Sequence, residues 1–316
     1  MNRRAFLTLA LAACSKRDSS APSPTATANA TATPTATATA NATATPTATA
    51  TATDPFESAA VVSGKSIGHT SVVFKLTFEN GLVAAYKPRT HRGPTRFRGE
   101  VAAYRLALAL GVTNVPRAIV RELPASALRG ALVSSGASEL YDREVIAEGG
   151  QVAGALIPWI AALDFVALEA EPWLSRWHGW LKKGGAIPDD QTQLAADISS
   201  MIVFDYVTGN FDRWSGGNVG RDKTTGRLLW IDNDGAFYPV PHAAPLARQL
   251  GILRGVDRFS KSFANALAAL GSTELRAAMG EGAAKTPLLP DDVLAGVEDR
   301  RKRAIAEIAA KATDLA

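Results

Sequence analysis

The stretch Asp205-Tyr206-Val207-Thr208-Gly209-Asn210-Phe211-Asp212-Arg213-Trp214-Ser215-Gly216-Gly217-Asn218 carries an apolar helix into a polar loop. After a short hairpin, the apolar strand Leu228-Leu229-Trp230-Ile231 delivers Asp232-Asn233-Asp234-Gly235 at its end. Turn formation accounts for Gly209-Asn210 and for Asp222 to Gly226, because tight turns select Asn, Asp and Gly. It does not account for an apolar strand that ends in two carboxylates just after another Asp/Asn loop. Phosphoryl transfer asks for such a set. It needs a carboxylate to orient or deprotonate the attacking hydroxyl, and oxygen ligands for Mg²⁺ or Mn²⁺ to neutralise the β- and γ-phosphates. Asp212 suits the first task, and Asn218 with Asp232 suits the second.

Upstream lie the residues that would meet the nucleotide. Val61-Val62 leads into a glycine-containing turn from Gly64 to Gly68, read as joining two strands; glycines there, with Lys65 between them, let backbone N–H groups approach phosphate oxygens. An ordinary hairpin turn explains the same residues. Ser71 to Phe78 alternates like a strand, Asn80-Gly81 supplies the turn, and Leu82 to Tyr86 continues to Lys87-Pro88. Glu100 opens a helix that runs to Leu110, with Gly111 as its stop. A strand Lys held by a helix Glu binds nucleotide phosphates in kinases. Alternatively, Lys87 is a surface lysine and Glu100 a helix-start acid favoured by the dipole.

Further strands are expected at Val115 to Val120 and Ala153 to Ile157. Residues 160–207 read as mostly helical with a hydrophilic break at Lys182 to Asp190. Asn218 to Arg221 and Arg227 to Ile231 form a hairpin, and the last third is helical, ending in Asp291 to Ala310. Strands first and helices second indicate an α+β, two-lobed fold with a strand-rich N-lobe and a helical C-lobe.

The series Tyr86-Lys87-Pro88, Glu100 to Leu106, Val115-Pro116, Gly209 to Arg213 and Ile231-Asp232-Asn233 resembles the atypical kinase superfamily. It is similar to the secreted kinases of the Golgi casein-kinase and four-jointed type, and more distantly to HipA and the phosphatidylinositol 4-kinases. The spore-coat kinases of the CotH type share a loosely similar Asp/Asn arrangement. The resemblance runs from about Ser63 to Phe237. It implies a kinase-like fold using ATP and Mg²⁺ or Mn²⁺, with Asp212 catalytic, Asp232 on the metal, and Lys87 and Glu100 at the nucleotide. The chain departs from the pattern at three places. Trp214 stands where His usually follows the Asp-Arg pair. Asn218 lies six residues after Asp212, where many kinases have five. Asp234 replaces a Gly and offers a second metal ligand. The implied activity is transfer from ATP to a hydroxyl acceptor: protein Ser/Thr first, glycan or lipid as alternatives. Two rivals are a pseudokinase kept as a binding module and a surface lipoprotein whose loops hold Ca²⁺. Intact Lys87, Glu100, Asp212 and Asp232 argue against the first, and the lack of a dense Asp-x-Asp-x-Asp loop against the second.

Composition narrows the classes further. The chain has 316 residues and a formal net charge of +4, yet Arg3, Arg4, Lys16 and Arg17 against Asp18 account for most of it. From residue 54 onward, 30 Lys/Arg face 29 Asp/Glu, which excludes a basic nucleic-acid binder. One Cys excludes an intrachain disulfide. That Cys, Cys14, ends Leu11-Ala12-Ala13-Cys14, which resembles a bacterial lipobox, behind an Arg3-Arg4 export signal suggestive of the twin-arginine route. Residues 1–14 are therefore expected to be a lipoprotein signal and 15–53 a disordered tether. Within Ala21 to Thr53, 26 of 33 residues are Ala or Thr, and the twelve residues 25–36 recur at 37–48. Residues 54–316 form the domain, and the membrane is met through the lipid anchor alone, at the cell envelope.

The four His have no metal-ligand spacing. Trp159, Trp173, Trp177 and Trp180 read as lobe core, with an acceptor platform as the alternative. Glu298 to Arg303 reads as a solvated helix face.

Overall fold

Phe74, Leu76 and Phe78 are fully buried and alternate with Lys75 and Thr77, as a half-buried strand requires. They form β2 (Phe74–Phe78) in the computed structural model, which describes residues 54–68 and 71–315. The export signal, Cys14 and the tether lie outside the described residues. β2 pairs antiparallel with β1 (Val61–Ser66) and with β3 (Val83–Pro88), the latter through the expected Asn80-Gly81 turn, where Gly81 takes φ 79°. β5 (Gln151–Pro158) joins β3, and β4 (Ile119–Pro124) closes the sheet in the order β1-β2-β3-β5-β4. A strand is thus present after Val115-Pro116, but four residues later than its expected start. Val115 and Ala118 are spent on core packing instead, and proline cannot donate to a ladder.

Around this sheet lie α1 (Pro55–Ser58), α2 (Arg96–Ala109), α3 (Ala125–Ala131) and α4 (Ser135–Glu144). The second lobe holds a three-stranded sheet of β6 (Leu163–Phe165), β7 (Val219–Asp222) and β8 (Leu228–Trp230). Its helices are α5 (Trp173–Trp180), α6 (Thr192–Thr208), α7 (Ala243–Gly255), α8 (Lys261–Ala269), α9 (Ser272–Met279) and α10 (Asp291–Ala309). β9 (Arg258–Ser260) pairs parallel with β10 (Ala312–Leu315). The fold is α+β and two-lobed. Among the described residues, no helix is long and apolar enough to cross a membrane.

Two elements position the site. Every residue of α6 from Leu194 to Thr208 is buried, so this helix is a central post rather than a surface element. It ends where Gly209, at φ 66°, donates its N–H to the Asp205 and Tyr206 carbonyls. α2 begins at Arg96, so Glu100 sits in its second turn rather than its first. Phe97, Val101 and Leu106 of α2 join the hydrophobic core shared with α6, not the separate core beneath the sheet.

Two readings of the sequence need correction. Glu298, Arg300 and Arg301 are buried rather than solvated: Arg300 Nε donates to the Val207 carbonyl at 2.8 Å, and Arg301 to the Leu267 carbonyl at 2.8 Å. Cations suit the free carbonyls that end a helix, so α10 uses this charged run to dock. The tryptophans divide. Trp177 and Trp180 are core, whereas Trp159 lies half-exposed beyond β5 with the Lys75 ammonium 3.8 Å from its ring centre.

Candidate active site

Lys87 is the penultimate residue of β3, and its ammonium binds Glu100 of α2 and Asp232 at once. Asp234 Oδ2 lies 3.6 Å from the same nitrogen. Burial alone would lower the lysine's pKa, but Glu100, Asp232 and Asp234 together raise it well above the ordinary value, so Lys87 is charged. Burial raises the Glu100 carboxyl, against the pull of Lys87. Burial opposes the charged form of Asp232 too, yet there the Lys87 charge and hydrogen bond win and hold it low.

Asp232 follows β8 with a φ of 56°, a left-handed conformation that a non-glycine residue adopts only where its surroundings impose it. The imposing contacts are visible. The Ile231 N–H donates to the Asn218 carbonyl at 3.2 Å, and the Phe211 N–H to the Gly235 carbonyl at 3.2 Å. A Cβ on Gly235 would stand 2.9 Å from Asn210 Oδ1 and 3.1 Å from Asp212 Cβ, so only glycine lets the two loops approach this closely. The loop that follows α6 and the loop that follows β8 are thus one unit.

Within that unit, Asn218 Nδ2 donates to the Asp212 carbonyl at 2.8 Å and to Asp212 Oδ2 at 3.3 Å. The six-residue spacing still brings Asn218 onto Asp212. With its amide nitrogen so engaged, the side-chain oxygen Oδ1 of Asn218 has no protein donor among the described residues. Glu100, Asp232 and Asp234 each offer an oxygen, and these atoms lie within 4.8 Å of one another. A cluster of hard oxygens fits Mg²⁺ or Mn²⁺.

Of the turn residues expected at the nucleotide, Gly64 and Lys65 lie inside β1 rather than in a turn, paired with Leu76 and Lys75. Gly64 answers to packing, because a Cβ there would meet Leu76 Cδ2 at 2.7 Å. Only Gly68 lies in the connection, where a side chain would collide with the Ser71 carbonyl.

The sequence did not single out Arg213 or its partner. The Arg213 side chain has no exposure; its Nε donates to both Asp205 oxygens at 3.2 Å, and Nη1 to the Asn218 carbonyl at 2.6 Å. It also reaches the Ile231 carbonyl and Asn233 Oδ1, so one guanidinium ties α6 to both loops. Burial outweighs Arg213 and pushes Asp205 up to about 6. The available signal was a carboxylate inside the otherwise apolar run Met201 to Val207, since an acid there needs a buried partner. Trp214, in the place of the usual His, packs on Trp177 with ring centres 5.6 Å apart. Arg96 was missed as well, and binds Asp234.

No protein-family model matches the chain. One curated relative, four-jointed box protein 1 of Xiphophorus maculatus, is 29% identical over 157 residues, which cover 43% of this chain; the chain spans 35% of that protein, about a third of its length. The crystal structure of the Golgi casein kinase with Mn/ADP bound superposes with a TM-score of 0.59 at 13% identity, over 81% of this chain and 74% of that one. A second structure of the Golgi casein kinase gives 0.60 at 14%, over 80% and 72%. Hydra Fam20 with sugar gives 0.59 at 15%, over 80% and 86%. The fold is therefore the kinase-like fold of the Golgi casein kinase and Fam20 structures.

Proposed function

We propose that the chain is an ATP-dependent phosphotransferase acting on a hydroxyl acceptor, protein Ser/Thr being the first to test and glycan or lipid the others. One observation carries the reading. A lysine at a strand end, held by a helix glutamate, meets the carboxylates that follow β8, while the catalytic-loop carboxylate lies hydrogen-bonded to Asn218 on the loop docked against them. Lys87 binds the nucleotide phosphates. Asp212 orients the acceptor hydroxyl and accepts its proton as the oxygen bonds to the γ-phosphorus and the bond to ADP breaks. Asp232, with Asp234, Glu100 and the Asn218 oxygen, holds a divalent cation, which neutralises phosphate charge when bound. The Golgi casein kinase structure with Mn/ADP supports this pairing of nucleotide and metal.

The test uses the purified full chain with labelled ATP, Mg²⁺ or Mn²⁺, and protein, glycan and lipid acceptors. Transfer to one class, lost in Asp212→Ala, supports the assignment; transfer that survives the substitution removes Asp212 from it. Nucleotide binding with no transfer to any acceptor makes the chain a binding module instead. The chain is exported and lipid-anchored through Cys14, a reading supported by the lipobox-like run that ends there. A Cys14→Ser protein that still fractionates with membranes overturns the anchor.

A further inference from the structure

Arg96 lies four residues before Glu100 on α2, so the two side chains share a face one turn apart. Glu100 reaches Lys87. Arg96 Nη2 reaches Asp234 Oδ1, the carboxylate whose other oxygen faces Lys87. α2 therefore offers the cleft a second cation. An anchoring role leaves much about Arg96 unexplained, because α2 already touches this loop without it: a Cβ on Gly99 would stand 2.7 Å from the Asn233 carbonyl oxygen.

Arg96 also has donors to spare. Its side chain is 31% exposed, and its Nε is buried with no hydrogen-bond partner. It borders a small cavity together with Lys87, Arg92, Ser71 and Asp234, at the end of β3. Three carboxylates, Glu100, Asp232 and Asp234, face two cations, Lys87 and Arg96, which leaves one formal negative charge. A divalent cation among those carboxylates reverses the local sign and competes with Arg96 for Asp234. A displaced guanidinium then has a natural partner in a phosphate, whose oxygens match its fork of donors.

We propose that Arg96 is a second phosphate-directed cation, held by Asp234 and turned to the terminal phosphate of a nucleoside triphosphate when a divalent cation takes Asp234. The proposal rests on the phosphotransferase reading. It differs from an anchoring role in one measurable way: a contact to the terminal phosphate discriminates between triphosphate and diphosphate.

The test is calorimetric binding of ADP and of a non-hydrolysable ATP analogue to the full chain at saturating Mg²⁺. Arg96→Met is expected to weaken the triphosphate analogue by about tenfold and ADP by less than about twofold. In EDTA, Asp234→Asn loosens Arg96 in advance and is expected to bind the analogue several-fold tighter than wild type. Should Arg96→Met fail to fold, Arg96→Gln, which retains a donor for Asp234, carries the same expectation. Equal losses for both nucleotides overturn the proposal and leave Arg96 an anchor. A wild-type chain that binds neither nucleotide fails the phosphotransferase reading itself, a separate outcome.

Discussion

Two ionic groupings share the loops between Asp212 and Asp234, and they are built on opposite plans. Arg213 and Asp205 are paired one to one with no side-chain exposure, and the guanidinium spends its remaining donors on the Asn218 and Ile231 carbonyls and on Asn233. In the cleft, carboxylates outnumber cations, Asp232 is 34% exposed, and the Nε of Arg96 has no partner. A balanced, closed group can only hold geometry. An unbalanced, half-open one still has charge to satisfy, and so is equipped to receive a cation and an anion from outside. The comparison separates scaffold from chemistry although both use the same residue types.

The comparison breaks most sharply at Asp212, to which the proposed function gives the catalytic role. Asp212→Asn should lower the transfer rate by about 10² to 10⁴-fold while nucleotide affinity and melting temperature stay close to wild type, checked by labelled-ATP kinetics and calorimetry. Arg213→Met tests the scaffold side. It strands Asp205 as a buried unpaired acid and frees three acceptors, so a loss of about 3–5 kcal/mol in unfolding free energy is expected by denaturant titration. Asp205 then sharpens the contrast through pH. Its folded value of about 6 lies above the ordinary 3.8, so the stability contributed by its proton is full below about pH 4 and lost as pH rises through 6. From pH 7 to pH 5, wild type should gain about 1 kcal/mol of stability relative to Asp205→Asn. Parallel melting curves for the two proteins would remove the shift. The seam is tested by Gly235→Ala, which pushes a methyl onto Asn210 and Asp212, costing about 1–3 kcal/mol and misplacing Asp212.

The order of the first strands, α2, α6 and the β7–β8 hairpin was legible because each carries a local mark, whereas β6, β9 and β10 fall in stretches that read as helical, and α3 and α4 were not foreseen. Alternation marked β2, Asn80-Gly81 its turn, and the Asp/Asn loops the ends of α6 and β8. Lys87 with Glu100, and Asp212 with Asn218, were legible because each lies at a strand end, in a helix or in an Asp/Asn loop that the chain marks, and the structure brings each pair into contact. Arg96 and Arg213 were not, since what defines each is a partner distant in sequence: Asp234 for Arg96, and the Asn218 and Ile231 carbonyls for Arg213. Arginine carries no mark that tells a docked guanidinium from a solvated one. The run from Glu298 to Arg303 misled in part for the same reason: Arg300 and Arg301 reach the ends of other helices, while Asp299, Lys302 and Arg303 are solvated as read. Gly64 misled in the opposite sense, because absence of a side chain serves close packing as well as phosphate binding.

Arg300 closes the end of α6 through the Val207 carbonyl, two residues before the turn at Gly209 that opens the catalytic loop. During synthesis, Lys87, Glu100, Asp212 and Asp232 are all in place in the chain before this support exists. A chain cut short before Arg300 therefore keeps every residue of the candidate site but loses the contact that holds the end of α6 beneath its loop.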